Sequence, residues 1–186
     1  MTKGIFSIKI VKEKPMYNKV STRKQYPMKK IHIVLYSPEI PQNTGNISRT
    51  AVVTGCALHI IRPIGFEISD RTLKRAGLDY WSDLDVTYYE NYEDFVARHP
   101  DAKVYYFSAK GTHAHTEVEY PDEVYLMFGR ETKGLPMELI EQHPDTTLRI
   151  PMIAHQRCLN LSNAVAVAVY EVLRQDNFET LSRVRL

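Results

Sequence analysis

Cysteine is almost absent from this chain of 186 residues: Cys56 and Cys158 are the only two, and 102 positions separate them. They are too few for a disulfide framework or a Cys-rich zinc site, so both read as reduced thiols of a cytoplasmic protein. Long apolar runs are missing as well. The longest, Ala164 to Tyr170, falls far short of the roughly 20 residues a membrane-spanning helix needs. No compact apolar signal core lies near the amino terminus. Neither a GxGxxG fingerprint nor a Walker ending of Gly-Lys-Ser/Thr occurs, which sets NAD and ATP chemistry aside. His113-Ala114-His115 finds no third ligand at a usual spacing and reads as a solvated polar loop, so no metal is expected.

Acidic residues are scarce in one place only. Residues 1–30 carry nine Lys or Arg against the single acid Glu13, whereas the rest of the chain is mildly acidic. This basic extension reads either as a dispensable leader, with Met28-Lys29-Lys30 resembling an alternative start, or as an arm that touches nucleic acid. Residues 31–176 then form one domain, and residues 177–186 a tail.

From residue 31 short apolar runs alternate with amphipathic ones, which predicts an α/β domain: a parallel sheet, doubly wound, with helices on both faces. Strands are expected over Ile31–Ser37, Ala57–Arg62, Asp85–Tyr89, Val104–Ser108, Val124–Phe128 and Thr147–Ile150, whose near-continuous apolarity suits buried parallel strands. Ser69 or Asp70 can cap a helix ending at Gly77. Pro136 suits a first helical position, and Asn160 or Ser162 can cap a last helix reaching about Asp176. Tyr88, Tyr89, Tyr105 and Tyr106 lie in or beside strands and read as sheet packing rather than base-stacking platforms.

Ligands of such a sheet bind beyond the carboxyl ends of its strands, so the segments that follow the strands matter most. After the first strand, Pro38 and Pro41 argue against regular structure, and Gly45 between asparagines suggests a tight turn at Asn43–Asn46 that leads into a helix. Arg49 is expected in the first turns of that helix, where an anionic substrate would be its partner. After the fifth strand, Phe128-Gly129-Arg130-Glu131-Thr132-Lys133-Gly134-Leu135-Pro136 reads as a ligand loop. After the sixth, Ile150 to Asn163 mixes apolar residues with amides, and Asn160, Ser162 and Asn163 exceed what a helix cap requires. Cys158 has no obvious His or Asp partner in sequence and reads as pocket lining rather than a nucleophile.

Together these segments resemble the SPOUT superfamily of RNA methyltransferases, specifically the small tRNA 2′-O-methyltransferases that modify the wobble nucleotide of the anticodon. The motif carriers are Asn43-Thr44-Gly45-Asn46-Ile47-Ser48-Arg49, the Phe128–Pro136 loop, Ile150-Pro151-Met152, and Leu159-Asn160-Leu161-Ser162-Asn163-Ala164-Val165. Leu58-His59-Ile60-Ile61, Arg75-Ala76-Gly77-Leu78-Asp79-Tyr80 and Lys110-Gly111-Thr112 are also similar. The resemblance implies a carboxyl-terminal trefoil knot and methyl transfer from S-adenosylmethionine, with no metal, to the ribose 2′-hydroxyl of cytidine or a 5-substituted uridine.

It also assigns residues. Phe107, Gly129, Ile150, Met152, Cys158 and Leu159 would hold the cofactor; Arg49, Asn160 and Glu131 would be catalytic; Asn46, Lys133 and Arg157 would contact RNA, with Tyr170 a looser candidate. A guanidinium stays protonated, so Arg49 is read as orienting the substrate phosphate and hydroxyl rather than as a base. Two departures stand out: relatives often carry Ser at the position of Cys158, and some carry Pro at that of Arg130. The implied partners are tRNA and a second copy of the chain, paired through the carboxyl-terminal helix. A ribosomal-RNA 2′-O-methyltransferase and a noncatalytic RNA-binding factor of the same fold are the alternatives.

Overall fold

The computed structural model describes residues 29–66, 84–154, 156, 158–182 and 184. Seven strands occur among them: β1 (Lys30–Tyr36), β2 (Ala57–Ile61), β3 (Val86–Tyr89), β4 (Val104–Phe107), β5 (His113–Ala114), β6 (Glu123–Phe128) and β7 (Thr147–Arg149). They form one sheet in the order β3-β2-β1-β6-β4-β7-β5, and every pairing is parallel. The helices are α1 (Pro41–Thr54), α2 (Tyr92–Arg98), α3 (Met137–Gln142) and α4 (Leu161–Gln175), with a 3-10 turn at Pro144–Thr146. The expected helix from Ser69 or Asp70 to Gly77 lies outside the described residues, as does the basic extension up to Met28.

Alternation along the strands divides the interior into two layers. Ile31, Ile33 and Leu35 of β1 and Val124, Leu126 and Phe128 of β6 face one side, where Ile47 and Ala51 of α1 and Val165, Ala168, Val169 and Val172 of α4 cover them. Val34 of β1 and Tyr125 and Met127 of β6 face the other, under Phe95 of α2, Ile140 of α3 and Leu135 of the loop before α3. Both faces are therefore dry, as parallel sheets require, and the fold is the doubly wound α/β type. Tyr89 and Tyr106 are buried in this second layer, in agreement with their packing role.

Three expectations need correction. Residues 43–46 are not a turn: α1 begins at Pro41, and Asn43 to Gly45 are buried within it. A proline at the first helical position loses no hydrogen bond there and is preset for helical φ, so Pro41 starts the helix instead of preventing it. Pro136 is the cap preceding α3 rather than its first residue. His113-Ala114 is not a loop but the edge strand β5, paired with Leu148 and Arg149, and His115 behind it is buried. A strand of two residues has no periodicity to reveal it.

On the α2 face a hydrogen-bonded chain links β6, β1, β2 and β3. Glu123, a carboxylate that only accepts, receives His32 Nε2–H at 3.2 Å, leaving His32 Nδ1 to accept from His59 Nε2–H at 2.9 Å. His59 Nδ1 then accepts from the Tyr89 hydroxyl at 2.7 Å, whose oxygen accepts from His99 Nε2–H at 2.6 Å. His99 Nδ1 accepts from the Tyr125 hydroxyl at 3.2 Å. With all three imidazoles neutral, every donor in the chain meets an acceptor. Burial keeps them so: it lowers His32 and His99, and it pushes His59 down to about 3.

Candidate functional site

Paired register brings Leu35, Phe128, Phe107 and Leu148 into one row across the carboxyl ends of β1, β6, β4 and β7. Immediately beyond it opens a cleft of about 820 Å³, within the range of small-molecule sites. Phe107 and Phe128 stack at its floor, with ring centroids 4.7 Å apart. The loop after β6 supplies one wall, the loop after β4 a second, and the segment between β7 and α4 the third.

The β6 loop closes on itself. Arg130 and Gly134 exchange backbone hydrogen bonds of 3.1 and 2.9 Å, and Gly134 takes φ +69°, a left-handed conformation suited to glycine. Gly129 lies so close beneath this turn that a Cβ would run into the backbone of Gly134 and Leu135. The five-residue glycine spacing is thus a closure device that turns the polar residues between the glycines toward the cleft rim.

One of those residues, the half-buried Glu131, is firmly anchored. Glu131 accepts from the backbone N–H of Glu39 at 2.9 Å, from that of Ile40 at 3.2 Å, and from Asn43 Nδ2 at 3.0 Å. In return Glu39 accepts from the Thr132 hydroxyl at 2.7 Å and the Thr132 backbone N–H at 3.1 Å. The hydroxyl bond above all holds the Glu39 carboxyl below its usual range. The turn before α1 and the loop after β6, some 90 residues apart in sequence, are latched reciprocally.

Asn43 extends this latch to α4. Its Oδ1 accepts from Asn160 Nδ2 at 2.9 Å, and Asn160 caps α4 by accepting from the Ser162 backbone N–H at 2.9 Å and hydroxyl at 2.7 Å. Asn160 is therefore both cap and cleft residue.

Phe107, Gly129, Glu131, Lys133, Ile150, Met152, Cys158, Leu159 and Asn160, each singled out from the sequence, all line this one cleft. Asn46 and Arg49 do not. Both are exposed on α1, and Arg49, expected in the first turns of that helix, stands in its third because the helix already begins at Pro41. Arg157 lies outside the described residues. Tyr170 is half-exposed on α4.

Sequence reasoning gave no site role to Asn43, which it placed in a motif but inside a turn, or to Lys110, which joins Arg130 and Lys133 at the cleft as a third cation. The Lys110-Gly111-Thr112 resemblance was the available signal for the latter. Among the described residues no group of three or more His, Cys, Asp or Glu is placed to hold a metal, and no helix is long and apolar enough to cross a membrane.

The cleft fits S-adenosylmethionine in kind. Phe107, Ile150, Met152 and Leu159 offer apolar surface for a purine and a thioether, and the glycine-closed loop keeps backbone groups within reach of a ligand at Gly129.

Comparison with known proteins agrees with this geometry. Residues 30–170 match the SpoU rRNA Methylase family. The tRNA (cytidine(34)-2'-O)-methyltransferase of Escherichia coli strain K12 is 49% identical over 146 residues, covering 78% of this chain and 93% of that protein. A solved structure concerned with "the 2-OH methylation of C/U34 on tRNA" is 45% identical, with a TM-score of 0.76, over 81% of this chain and 99% of that one. An AdoMet-bound rRNA methyltransferase from Sinorhizobium meliloti is 25% identical, with a TM-score of 0.69, over 80% of this chain and 58% of that one.

Proposed function

The chain belongs to the SpoU rRNA Methylase family, and on that premise we propose that it methylates the ribose 2′-hydroxyl of the wobble nucleotide of tRNA, a cytidine or a 5-substituted uridine. The observation that carries the substrate is identity of 49% across nearly the whole of a relative named for cytidine 34 of tRNA. The reading includes action in the cytoplasm and the trefoil knot. Supporting the knot, the segment after β4 passes so tightly against β7 that a Cβ on Gly111 would meet the backbone of Leu148.

Phe107, Gly129, Ile150, Met152, Cys158 and Leu159 would hold S-adenosylmethionine, which when bound supplies an electrophilic methyl group. The chain's own residues align the acceptor and exclude water, the two contributions such a displacement needs. Asn160 meets the acceptor nucleotide at the cleft. Arg49, a permanent cation exposed on α1, takes the substrate phosphate, with Asn46 beside it on the same helix and Lys133, which lines the cleft, as a further RNA contact.

The working unit in this reading is a homodimer paired through α4, whose Val167 and Tyr170 are 40% and 46% exposed. Large apolar side chains left open on a helix suit a partner surface. Pairing would also concentrate the exposed cations of two chains on one RNA, offsetting a mildly acidic domain.

The test is transfer of labelled methyl from S-adenosylmethionine to bulk tRNA lacking ribose methylation, followed by nucleoside identification. Label in a 2′-O-methylated wobble nucleotide, lost in Arg49→Ala, is the expected result. Label only in ribosomal RNA would move the substrate, and cofactor binding with no transfer to any RNA would favour a noncatalytic factor.

A further inference from the structure

The amides of the cleft form a relay whose direction is imposed from both ends. Glu131 only accepts, so Asn43 turns its NH2 toward that carboxylate and its Oδ1 toward Asn160. At the far end the Ser162 N–H and hydroxyl both donate to Asn160 Oδ1, which turns the Asn160 NH2 back toward Asn43. The two requirements agree, and Asn160 donates to Asn43, which donates to Glu131. Asn43 is only 5% exposed, so an unmet polar atom there would be costly and the arrangement is strongly held.

Little of the Asn160 side chain is left uncommitted. Its carbonyl oxygen serves two donors and one N–H serves Asn43, while the second N–H remains for a ligand at a residue exposed in the cleft. A single N–H selects an acceptor and rejects a donor. Glu131, by contrast, has both oxygens engaged by three donors.

We propose that Asn43 is a positioning residue for methyl transfer: anchored on Glu131, it holds Asn160 so that the remaining amide N–H meets an oxygen of the substrate's sugar–phosphate backbone. Glu131 in this arrangement is the anchor of the relay and not the proton acceptor. The proposal rests on the ribose-methylation reading, and its test separates the two.

Three variants of the full chain are compared with wild type: Asn43→Ala, Asn43→Asp, and Asn43→Asp combined with Glu131→Gln. An aspartate at 43 accepts from Asn160 but faces the Glu131 carboxylate with no proton to give. A glutamine at 131 restores a donor between them. The readouts are kcat and KM for tRNA, binding of S-adenosylhomocysteine by calorimetry, and the Asn160 side-chain 15N–1H resonances.

Displacing a substrate-aligning group costs about tenfold or more in rate. Asn43→Ala and Asn43→Asp should each lose that much in kcat while binding S-adenosylhomocysteine within about threefold of wild type, and the double variant should recover part of the kcat lost by Asn43→Asp. The two Asn160 amide protons should be well separated in wild type and move toward each other in Asn43→Ala. A kcat within twofold of wild type in Asn43→Ala, a parallel loss of S-adenosylhomocysteine binding, or no recovery in the double variant would overturn the proposal. If wild type methylates no RNA, the methylation reading fails, and the Asn160 resonances alone decide whether Asn43 positions that amide.

Discussion

Acidification tests the histidine chain quantitatively. His59 is 5% exposed, and burial pushes it down to about 3 from an ordinary 6.5, with His32, His99 and Arg98 opposing a further positive charge. The remaining charged and titratable neighbours on the packed elements are Lys30, Glu123, Tyr125, Tyr89 and Asp94. The unfolded chain takes up a proton at this histidine as pH falls through 6.5, while the folded chain does not until about 3. The contribution is therefore complete above neutral pH and declines steadily below about 6.5.

Between pH 7.5 and pH 5 the difference amounts to about 2 kcal/mol for His59 alone, enough to move a urea midpoint by roughly 1 M. His32 and His99, lowered in the same direction, add to the loss. The assay is urea unfolding at intervals across that range for wild type and His59→Asn. The variant sacrifices the bond to His32 and should be less stable at pH 7.5. Its further loss on going to pH 5 should be smaller than that of wild type by about 2 kcal/mol. Equal losses in the two proteins, or an NMR titration of His59 with a midpoint above 5, would refute the argument.

Other perturbations have equally direct readings. Gly129→Ala forces a methyl into the backbone of Gly134 and Leu135. It should cost about 1–3 kcal/mol in thermal unfolding, as overpacking does, and abolish calorimetric binding of S-adenosylhomocysteine. Iodoacetamide should modify the exposed, cleft-lining Cys158 and spare Cys56, which is buried and pushed up to about 11 by that burial; S-adenosylhomocysteine should slow the Cys158 reaction, as followed by mass spectrometry. Tyr170→Glu with Val167→Glu should convert a dimer to a monomer in analytical ultracentrifugation, and an unchanged sedimentation coefficient would place the interface elsewhere.

Much of the site was legible because its signals are local. Gly129 and Gly134 announce a closed loop, and Asn160 followed by Ser162 announces a helix cap. The apolar residues Phe107, Ile150 and Met152 sit just after or at the ends of runs that read plainly as strands, and Leu159 directly precedes the Asn160 cap. Asn43 was not legible in the same way. Its neighbours Pro41 and Gly45 resemble turn chemistry, and only burial against α4 and the sheet makes a continuous helix the better solution. Arg49 follows that boundary: with α1 starting at Pro41 it stands in the third turn, exposed and not among the residues that line the cleft.

Composition and periodicity alone thus determined a parallel α/β domain with dry faces, six of its strands, and the three segments that meet at its carboxyl edge. Those properties follow from hydrophobic pattern and turn chemistry, which act over a few residues. Only the tertiary structure decided that Glu131 is engaged by the turn before α1, that Asn43 joins it to Asn160, and that His32, His59 and His99 form one chain with Tyr89 and Tyr125. These links span up to 117 positions, and their strength comes from directional hydrogen bonds in a desolvated interior. No local spacing encodes which donor will face which acceptor once the sheet has assembled.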